Sequence, residues 1–339
     1  IFREANIPKR LIPGAIALGA FTFTMDALPG TPQIQNTIPT NYFGTTSFAA
    51  PIIGTLGAII VFSLGLWWLN RRKNKLMAAG EGYGDHTLNE PKEMNLDNLP
   101  PFWLAIIPLI LVLGGNALLT YLILPNWYPE AIIQQFEGLD VEKMIGTWSL
   151  IVALTFGILF ALVLQMIYRK KEIAEKGSAF SIANTLTAGA VGSLLAIMNT
   201  ASEVGFGNVI KTLPGFQTVS DFLLNMQTSP LISEALSINI LAGITGSASG
   251  GMSIALETMG AKYLEWSTSL GIDPEMLHRI ASMSAGGMDT LPHNGAVITL
   301  LAICGLTHRQ SYGDIFAITI IKTLVVPLLI GLYLLTGLV

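Results

Sequence analysis

Two aspartates stand where charge is expensive, and both belong to the same five-residue phrase. Met25-Asp26-Ala27-Leu28-Pro29 returns as Met288-Asp289-Thr290-Leu291-Pro292. Between Arg10 and Arg71 the only formally charged residue is Asp26; between Arg279 and Arg309 it is Asp289, with titratable His293 close behind. A carboxylate at membrane depth costs about 3 kcal/mol on insertion scales, so such residues mark substrate pathways and proton relays. Burial disfavours the ionised form and helps a carboxyl pick up H⁺. Asp26 and Asp289, together with the buried-looking Glu203, are therefore candidates for carrying a coupling proton, with His293 beside them. Asp before Leu-Pro also serves as a helix N-cap, and capping and proton coupling are not exclusive.

Polar residues that suit a small anion cluster at the same breaks. Thr31, Gln33, Asn36, Asn199, Thr200, Ser202, Ser247, Ser249, Thr290 and Asn294 can bond hydroxyls and carboxylate oxygens. Gly30, Gly246 and Gly295 complete the candidate substrate set at the breaks themselves. His293 lies between Pro292 and Asn294-Gly295, turn chemistry rather than a helix face, and reads as a site residue. The region has few fixed cations, so half-helix N-termini are expected to hold the anion, without an arginine clamp. Lys322 reads as a snorkelling or structurally paired lysine before a substrate counter-charge. One cysteine, Cys304, rules out an internal disulfide or a cysteine-based metal cage, and no metal or cofactor is expected.

The elements that must position these residues are membrane helices. Half the residues are hydrophobic (51%) and 12% are charged, with a mean hydropathy of +0.58; soluble chains carry roughly twice that charged fraction. A net charge of −4 gives no argument for nucleic acid as a partner. Crossing a bilayer takes about 20 mostly apolar residues. Ser47–Leu69, Pro101–Leu124, Ile145–Tyr168 and Ile315–Leu338 qualify, the last interrupted by Lys322 and Pro327. Trp67-Trp68, Phe102-Trp103 and Trp148 with Tyr168 lie near run ends, as an interfacial belt requires. Arg71-Arg72-Lys73-Asn74-Lys75 opens a polar loop, and Arg169-Lys170-Lys171 follows the third run; both should face the cytoplasm. The acidic segment Pro125–Lys143 between them should lie outside.

The same rule separates the two copies of the phrase. The helix after the first ends at the Arg71 cluster and travels inward; the helix after the second begins past His308-Arg309 and travels outward. Similar segments of opposite orientation form an inverted repeat, the architecture of many secondary transporters. The expected fold is an all-α polytopic membrane protein with an inverted repeat, re-entrant hairpins and discontinuous helices. Residues 1–70 would end the first repeat, 71–100 would link the halves in the cytoplasm, and 101–339 would form the second repeat. Ile1 carries no initiator methionine, so the first repeat is expected to begin upstream. Between Ser178 and Ser282 apolar runs are broken at Asn199–Gly207 and Gly246–Gly251. Such breaks must be buried in protein or face a watery cavity, although small residues also serve close helix packing.

At Asn199–Gly215 (NTASEVGFGNVIKTLPG), Thr245–Gly260 (TGSASGGMSIALETMG) and Ser282–Asp314 (SMSAGGMDTLPHNGAVITLLAICGLTHRQSYGD) the chain resembles the gluconate permease family of the ion-transporter superfamily. The resemblance runs over most of the chain; its motifs are specific in combination and weak singly. It implies proton-coupled import of a small hydroxy- or keto-carboxylate, such as gluconate, related sugar acids or 3-hydroxybutyrate, across a bacterial inner membrane. The expected partners are a small organic anion, H⁺ and the lipid bilayer, with a homodimer as the one further assembly considered. It also implies that Gly-rich breaks and a Pro-rich loop from each half meet around the substrate. Typical sugar-acid members place a histidine between prolines in the first loop, whereas this chain has Gly30-Thr31, which favours an acid smaller than gluconate. Other classes remain: a Na⁺-coupled carboxylate or citrate carrier, and a passive anion channel. No His-Glu-x-x-His, Gly-x-Ser-x-Gly or Walker loop is present, which argues against an enzyme or a directly ATP-driven pump.

Overall fold

The computed structural model describes residues 1–86, 88, 90, 99–127, 141–168, 178–224 and 229–339, and among these the chain forms helices and no strand. Among the described residues four helices are long and apolar enough to cross a membrane: Pro51–Ala78, Phe102–Trp127, Met144–Tyr168 and His308–Thr336. In chain order the α-helices are α1 (Ile12–Ala20), α2 (Thr40–Phe43), α3 (Pro51–Ala78), α4 (Phe102–Leu118), α5 (Leu124–Trp127), α6 (Val141–Tyr168), α7 (Ser178–Lys211), α8 (Pro214–Leu224), α9 (Pro230–Thr245), α10 (Ala248–Ser269), α11 (Pro274–Ala285), α12 (Gly295–Ile303) and α13 (His308–Thr336). The all-α polytopic membrane fold is therefore present. Phe62, Leu66, Trp67, Trp103, Phe156 and Leu328 point their apolar bulk outward along the spans, as side chains facing lipid do.

Three readings of the spans are corrected. The Arg71–Lys75 cluster opens no loop; α3 continues through it to Ala78, because Arg, Lys and Leu are good helix formers and long basic side chains reach water from a helix. Pro327 does not interrupt the last span; α13 runs through it, its lost bond tolerated inside a long packed helix. The largest correction is at Asn199–Gly207, where no break occurs: α7 is helical from Ser178 to Lys211. Glycine and small polar residues weaken a helix by about 1 kcal/mol or less each but do not stop it, and the first proline is Pro214, at the start of α8.

The chain forms two compact units, one from Ile1–Pro91 with Glu203–Val339 and one from Lys92–Ser202. In the second, α4 packs on α6 through small residues: Gly157 lies against Val112 and the Pro108 carbonyl, and Gly115 against Ala153. Close backbone approach of this kind is how helices associate where lipid removes the hydrophobic drive. The basic run Arg169–Lys171 and most of the acidic segment Pro125–Lys143 lie outside the described residues.

The first unit holds the breaks. Its core packs Ile53, Leu231, Ile238, Met252, Leu256, Met259, Met276, Leu277, Ile280 and Leu329 from five helices. α9 and α10 form a tight hairpin, with Gly246 left-handed at φ +66° and Ser247 capping α10 by accepting from the Gly250 N–H at 3.0 Å. Only glycine adopts that φ without penalty. The expected Gly246–Gly251 break is thus two residues long, and Gly251 already sits in α10, packed so closely that a side chain would strike the Ala242 backbone, as the close-packing reading expects. α3 and α13 run antiparallel. Arg72, late in α3, donates to Asp314, early in α13, at 2.8 Å, joined by Trp68 at 3.1 Å, while the Ile52 N–H in the first turn of α3 meets the Val339 carbonyl after α13. Outside the spans, Lys9 donates to Glu90 at 2.7 Å and Tyr83 to the same carboxylate, which holds Glu90 below the usual carboxylate range.

Candidate functional site

The segment that carries the first phrase has little regular structure of its own. After α1 ends at Ala20 the chain turns through Phe21–Gly30, then runs by a short 3-10 turn (Ile34–Asn36) and α2 to α3. Gly30, at φ +77°, donates its N–H to the Ser47 carbonyl at 2.8 Å and closes this stretch into a loop. Its carbonyls therefore need donors, and α11 supplies them from one face.

Glu275, His278, Arg279 and Ser282 follow the three- and four-residue spacing that places side chains on one side of a helix. Glu275 accepts from the Ala50 N–H at 2.8 Å. His278 bonds Thr45 at 2.6 Å and Asn36 at 3.3 Å. Arg279, fully buried, donates to the carbonyls of Asp26 (3.0 Å), Ala49 (2.6 and 3.1 Å) and Ser47 (3.5 Å) and to Asn36 (3.0 Å). Ser282 adds a bond to the Asp26 carbonyl at 2.9 Å. A guanidinium has five N–H donors in a fixed fork, and here each is used. The expectation of few fixed cations is corrected: Arg279 is a buried cation, and it clamps the first phrase by its backbone.

α11 leads directly into the second phrase, and this brings the two together. Gly286 faces the Asp26 carboxylate so closely that any side chain there would collide with it, and Gly287 abuts Asn239 in the same way. Asp289 lies in a 3-10 turn (Met288–Thr290) and pairs with Lys322 of α13 at 2.7 Å. Lys322 also donates to the Phe21 carbonyl at 2.9 Å, next to the first phrase. Both members of the pair are buried. Asp26 stands within electrostatic reach of Lys322 and Arg279, which attract it, and of Asp289, which repels it. Neither aspartate caps a helix: the aspartates of the repeated phrase converge on one lysine. Lys322 is the paired lysine of the sequence reading, its partner now Asp289.

The remaining candidates divide. Thr290 bonds Thr319 at 2.6 Å and Tyr312 donates to its carbonyl at 3.2 Å. His293 bonds the Gly243 carbonyl at 3.0 Å, and Asn294 donates to the Gly246 carbonyl at 2.5 Å, so the Pro292–Gly295 break seats on the α9–α10 turn. Ser249 is buried beside Ser247, with the two hydroxyls 3.5 Å apart. Thr31 is buried with its hydroxyl unpartnered among the described residues, whereas Gln33 is exposed. Gly295 is the first residue of α12. Asn199, Thr200 and Ser202 belong to α7 in the second unit. Ser202 is exposed there, and the side chains of Asn199, Thr200 and Glu203 lie outside the described residues. The two cavities described, of about 380 and 250 Å³, are lined by other residues.

Asn294 has a structural duty as well. Its side chain accepts from the Ala296 and Val297 N–H groups at 2.6 and 3.2 Å, capping α12. Asn294→Ala should therefore lower thermal stability by about 1–2 kcal/mol, and Asn294→Asp should recover the cap alone, because a carboxylate accepts from the Ala296 and Val297 N–H groups but cannot donate to the Gly246 carbonyl. Melting of the purified variants in detergent checks this; equal melting of the alanine and wild-type proteins would remove the cap from the account.

Sequence reasoning missed α11. Its signal was present as four polar residues at helical spacing, but Arg279 was read only as the charge closing an apolar stretch.

Fold and buried charge define a polytopic α-helical membrane protein with ionisable groups held inside it. A protein of Bacillus subtilis (strain 168) described as an uncharacterized transporter, YxjC, is 49% identical over 353 aligned positions, covering 100% of this chain and 73% of the relative. The chain belongs to the family of that transporter. No family model and no solved structure matches it.

Proposed function

We propose that the chain is a secondary transporter of the bacterial inner membrane that imports a small hydroxy-monocarboxylate together with a proton. The observation that carries the reading is the meeting of Asp26 and Asp289 around Lys322. A substrate carboxylate has a natural seat on Lys322, but Asp289 holds that seat. The anion takes it at little cost only when Asp289 is neutralised, and a proton does this. One monoanion and one proton then enter together, and the buried charge is the same before and after. Release of the proton on the other side restores the ion pair and expels the anion. Of the three N–H donors of Lys322, Asp289 and the Phe21 carbonyl use two, which leaves one for an incoming oxygen among the described residues.

The substrate class rests on the charge at the pair: Lys322, its buried cation, balances one carboxylate, and Thr290, next to Asp289, adds a neutral hydroxyl that now bonds Thr319. The resemblance to gluconate permeases and the Gly30-Thr31 departure point to 3-hydroxybutyrate ahead of gluconate. The antiparallel course of α3 and α13 supports reading the two phrases as equivalent points of an inverted repeat.

Asp289→Asn tests the coupling. It removes the charge that competes for Lys322, so accumulation against a gradient should be lost while exchange of internal for external substrate continues. A variant that still accumulates substrate as wild type does would remove Asp289 from the mechanism. Competition by 3-hydroxybutyrate, gluconate, citrate and serine ranks the substrates. Citrate should compete poorly, since its further carboxylates have no cation; if citrate wins, the substrate class is wrong although the transporter reading stands.

A further inference from the structure

Glu234 lies in the first turns of α9, fully buried, and neither of its carboxylate oxygens has a hydrogen-bond partner among the described residues. The Met288–Thr290 turn meets α9 near Gly243, nine residues further on, about 13 Å along the helix. Glu234 is therefore not part of the Asp289–Lys322 pair.

Among the described residues, the helices around α9 bring no cation within reach of Glu234. α10 carries Glu257, Lys262, Tyr263 and Glu265; α11 carries Glu275, His278 and Arg279; α8 carries Asp221. Asp289 lies in the turn that meets α9 near its other end and is paired with Lys322 of α13, while Asp314 of α13 is bound to Arg72 and Trp68 of α3. Of all these only Tyr263 stands within electrostatic reach of Glu234. An ionised carboxylate with no cation and no donor is the most costly buried group a protein can carry, and such groups avoid the cost by binding a proton.

Tyr263 also supplies a route. Its hydroxyl bonds Ser237 at 2.8 Å and the Ser233 carbonyl at 3.4 Å, on the turn of α9 that holds Glu234. Tyr263 also borders the cavity of about 380 Å³ with Lys262, Glu265, Trp266 and Ser269. Tyr263 thus borders the cavity and bonds the turn of α9 that holds Glu234. Ser267, one turn further along α10, is a second buried hydroxyl without a partner among the described residues.

We propose that Glu234 is a second proton-binding site of this protein, loaded from the Lys262–Ser269 cavity past the Tyr263 hydroxyl. The proton comes from water in the cavity, forms an O–H bond on the Glu234 carboxylate and leaves by the same path or inward along the hairpin. This deepens the proton-coupled reading of the previous section and rests on it for its use in transport, but not for the binding of the proton.

Infrared difference spectra of the protein in liposomes, taken between acidic and alkaline buffer, test the site directly. Wild type should show, beside the band of a protonated Asp289, a further carbonyl stretch of a neutral carboxyl that fades as pH rises, and Glu234→Gln should lack that component alone. Tyr263→Phe should keep the band but delay its appearance after a pH jump. Should the glutamine variant fail to insert, Glu234→Asp keeps a carboxyl and should move the band without deleting it. A spectrum unchanged by Glu234→Gln or Glu234→Asp, or a carboxyl displaced by added Na⁺ with no proton band, overturns the proposal. Unaltered kinetics in Tyr263→Phe overturns the route. In proteoliposomes, Glu234→Gln should also cut accumulation of labelled 3-hydroxybutyrate under a pH gradient by about tenfold, an ordinary coupling between two binding sites. If wild type shows the band but no uptake of that probe, the transport reading fails and the proton site stands.

Discussion

Lys322→Met should leave a protein that neither transports nor holds its fold at ordinary temperature. Lys322 donates to Asp289 at 2.7 Å and to the Phe21 carbonyl at 2.9 Å, and all of this is buried. Removing one member of a buried pair strands the other charge, at a cost of about 3–5 kcal/mol. The loss should shrink in acidic buffer, because a protonated Asp289 needs no cation. Adding Asp289→Asn should recover most of the melting temperature, since no charge is then stranded, while uptake stays absent because the substrate's counter-charge is gone. Melting and uptake measured on the single and double variants separate these effects. A single variant that melts like wild type would mean that the pair contributes nothing to the fold. Recovered uptake in the double variant would mean that Lys322 does not hold the substrate.

Arg279 should be even less replaceable. Its five donors reach the Asp26, Ser47 and Ala49 carbonyls and the Asn36 side chain, and together they shape the loop that presents Asp26. Gly54 packs against the same guanidinium, with room for no side chain between. Arg279→Met leaves the Ala49 carbonyl without a donor among the described residues and takes one donor each from the Asp26 and Ser47 carbonyls, which keep Ser282, Gly30 and Asn36; with five charged hydrogen bonds lost from a packed core, the loss should be about 4 kcal/mol. Arg279→Lys should recover little, because an ammonium cannot span the carbonyls that a planar fork reaches. Size-exclusion profiles and melting of both variants are the readout. A lysine variant with wild-type melting would show that charge alone, and not the fork, holds the loop.

What could be read from the residues was set by how far each signal extends along the chain. Spans depend on about 20 neighbouring residues acting together, so α3, α4, α6 and α13 were legible. Their ends were not, since Arg71–Lys75 and Pro327 stop a helix only where nothing else supports it. Backbone breaks were legible where proline or a left-handed glycine forced them, at Pro29–Thr31, Gly246 and Pro292–Gly295. They were misread at Asn199–Gly207, where composition alone suggested one. The convergence of Asp26 and Asp289 was foreshadowed by their lone charge, but the cation between them was not, because Lys322 meets Asp289 across 33 residues of sequence. Glu234 obeys the rule that singled out Asp26, a lone acid in an apolar run. It escaped because the run Leu231–Ile244 has no proline or glycine beside the acid to mark it.

The most direct measurement is uptake of labelled 3-hydroxybutyrate by proteoliposomes holding the purified wild-type protein, with the outside made acidic. Proton coupling predicts accumulation above the external concentration that collapses when a protonophore dissipates the gradient. It also predicts no net charge movement, because one anion enters with one proton at the Asp289–Lys322 pair. Entry that only equalises the two sides, or accumulation that ignores pH and follows a Na⁺ gradient, would contradict the account.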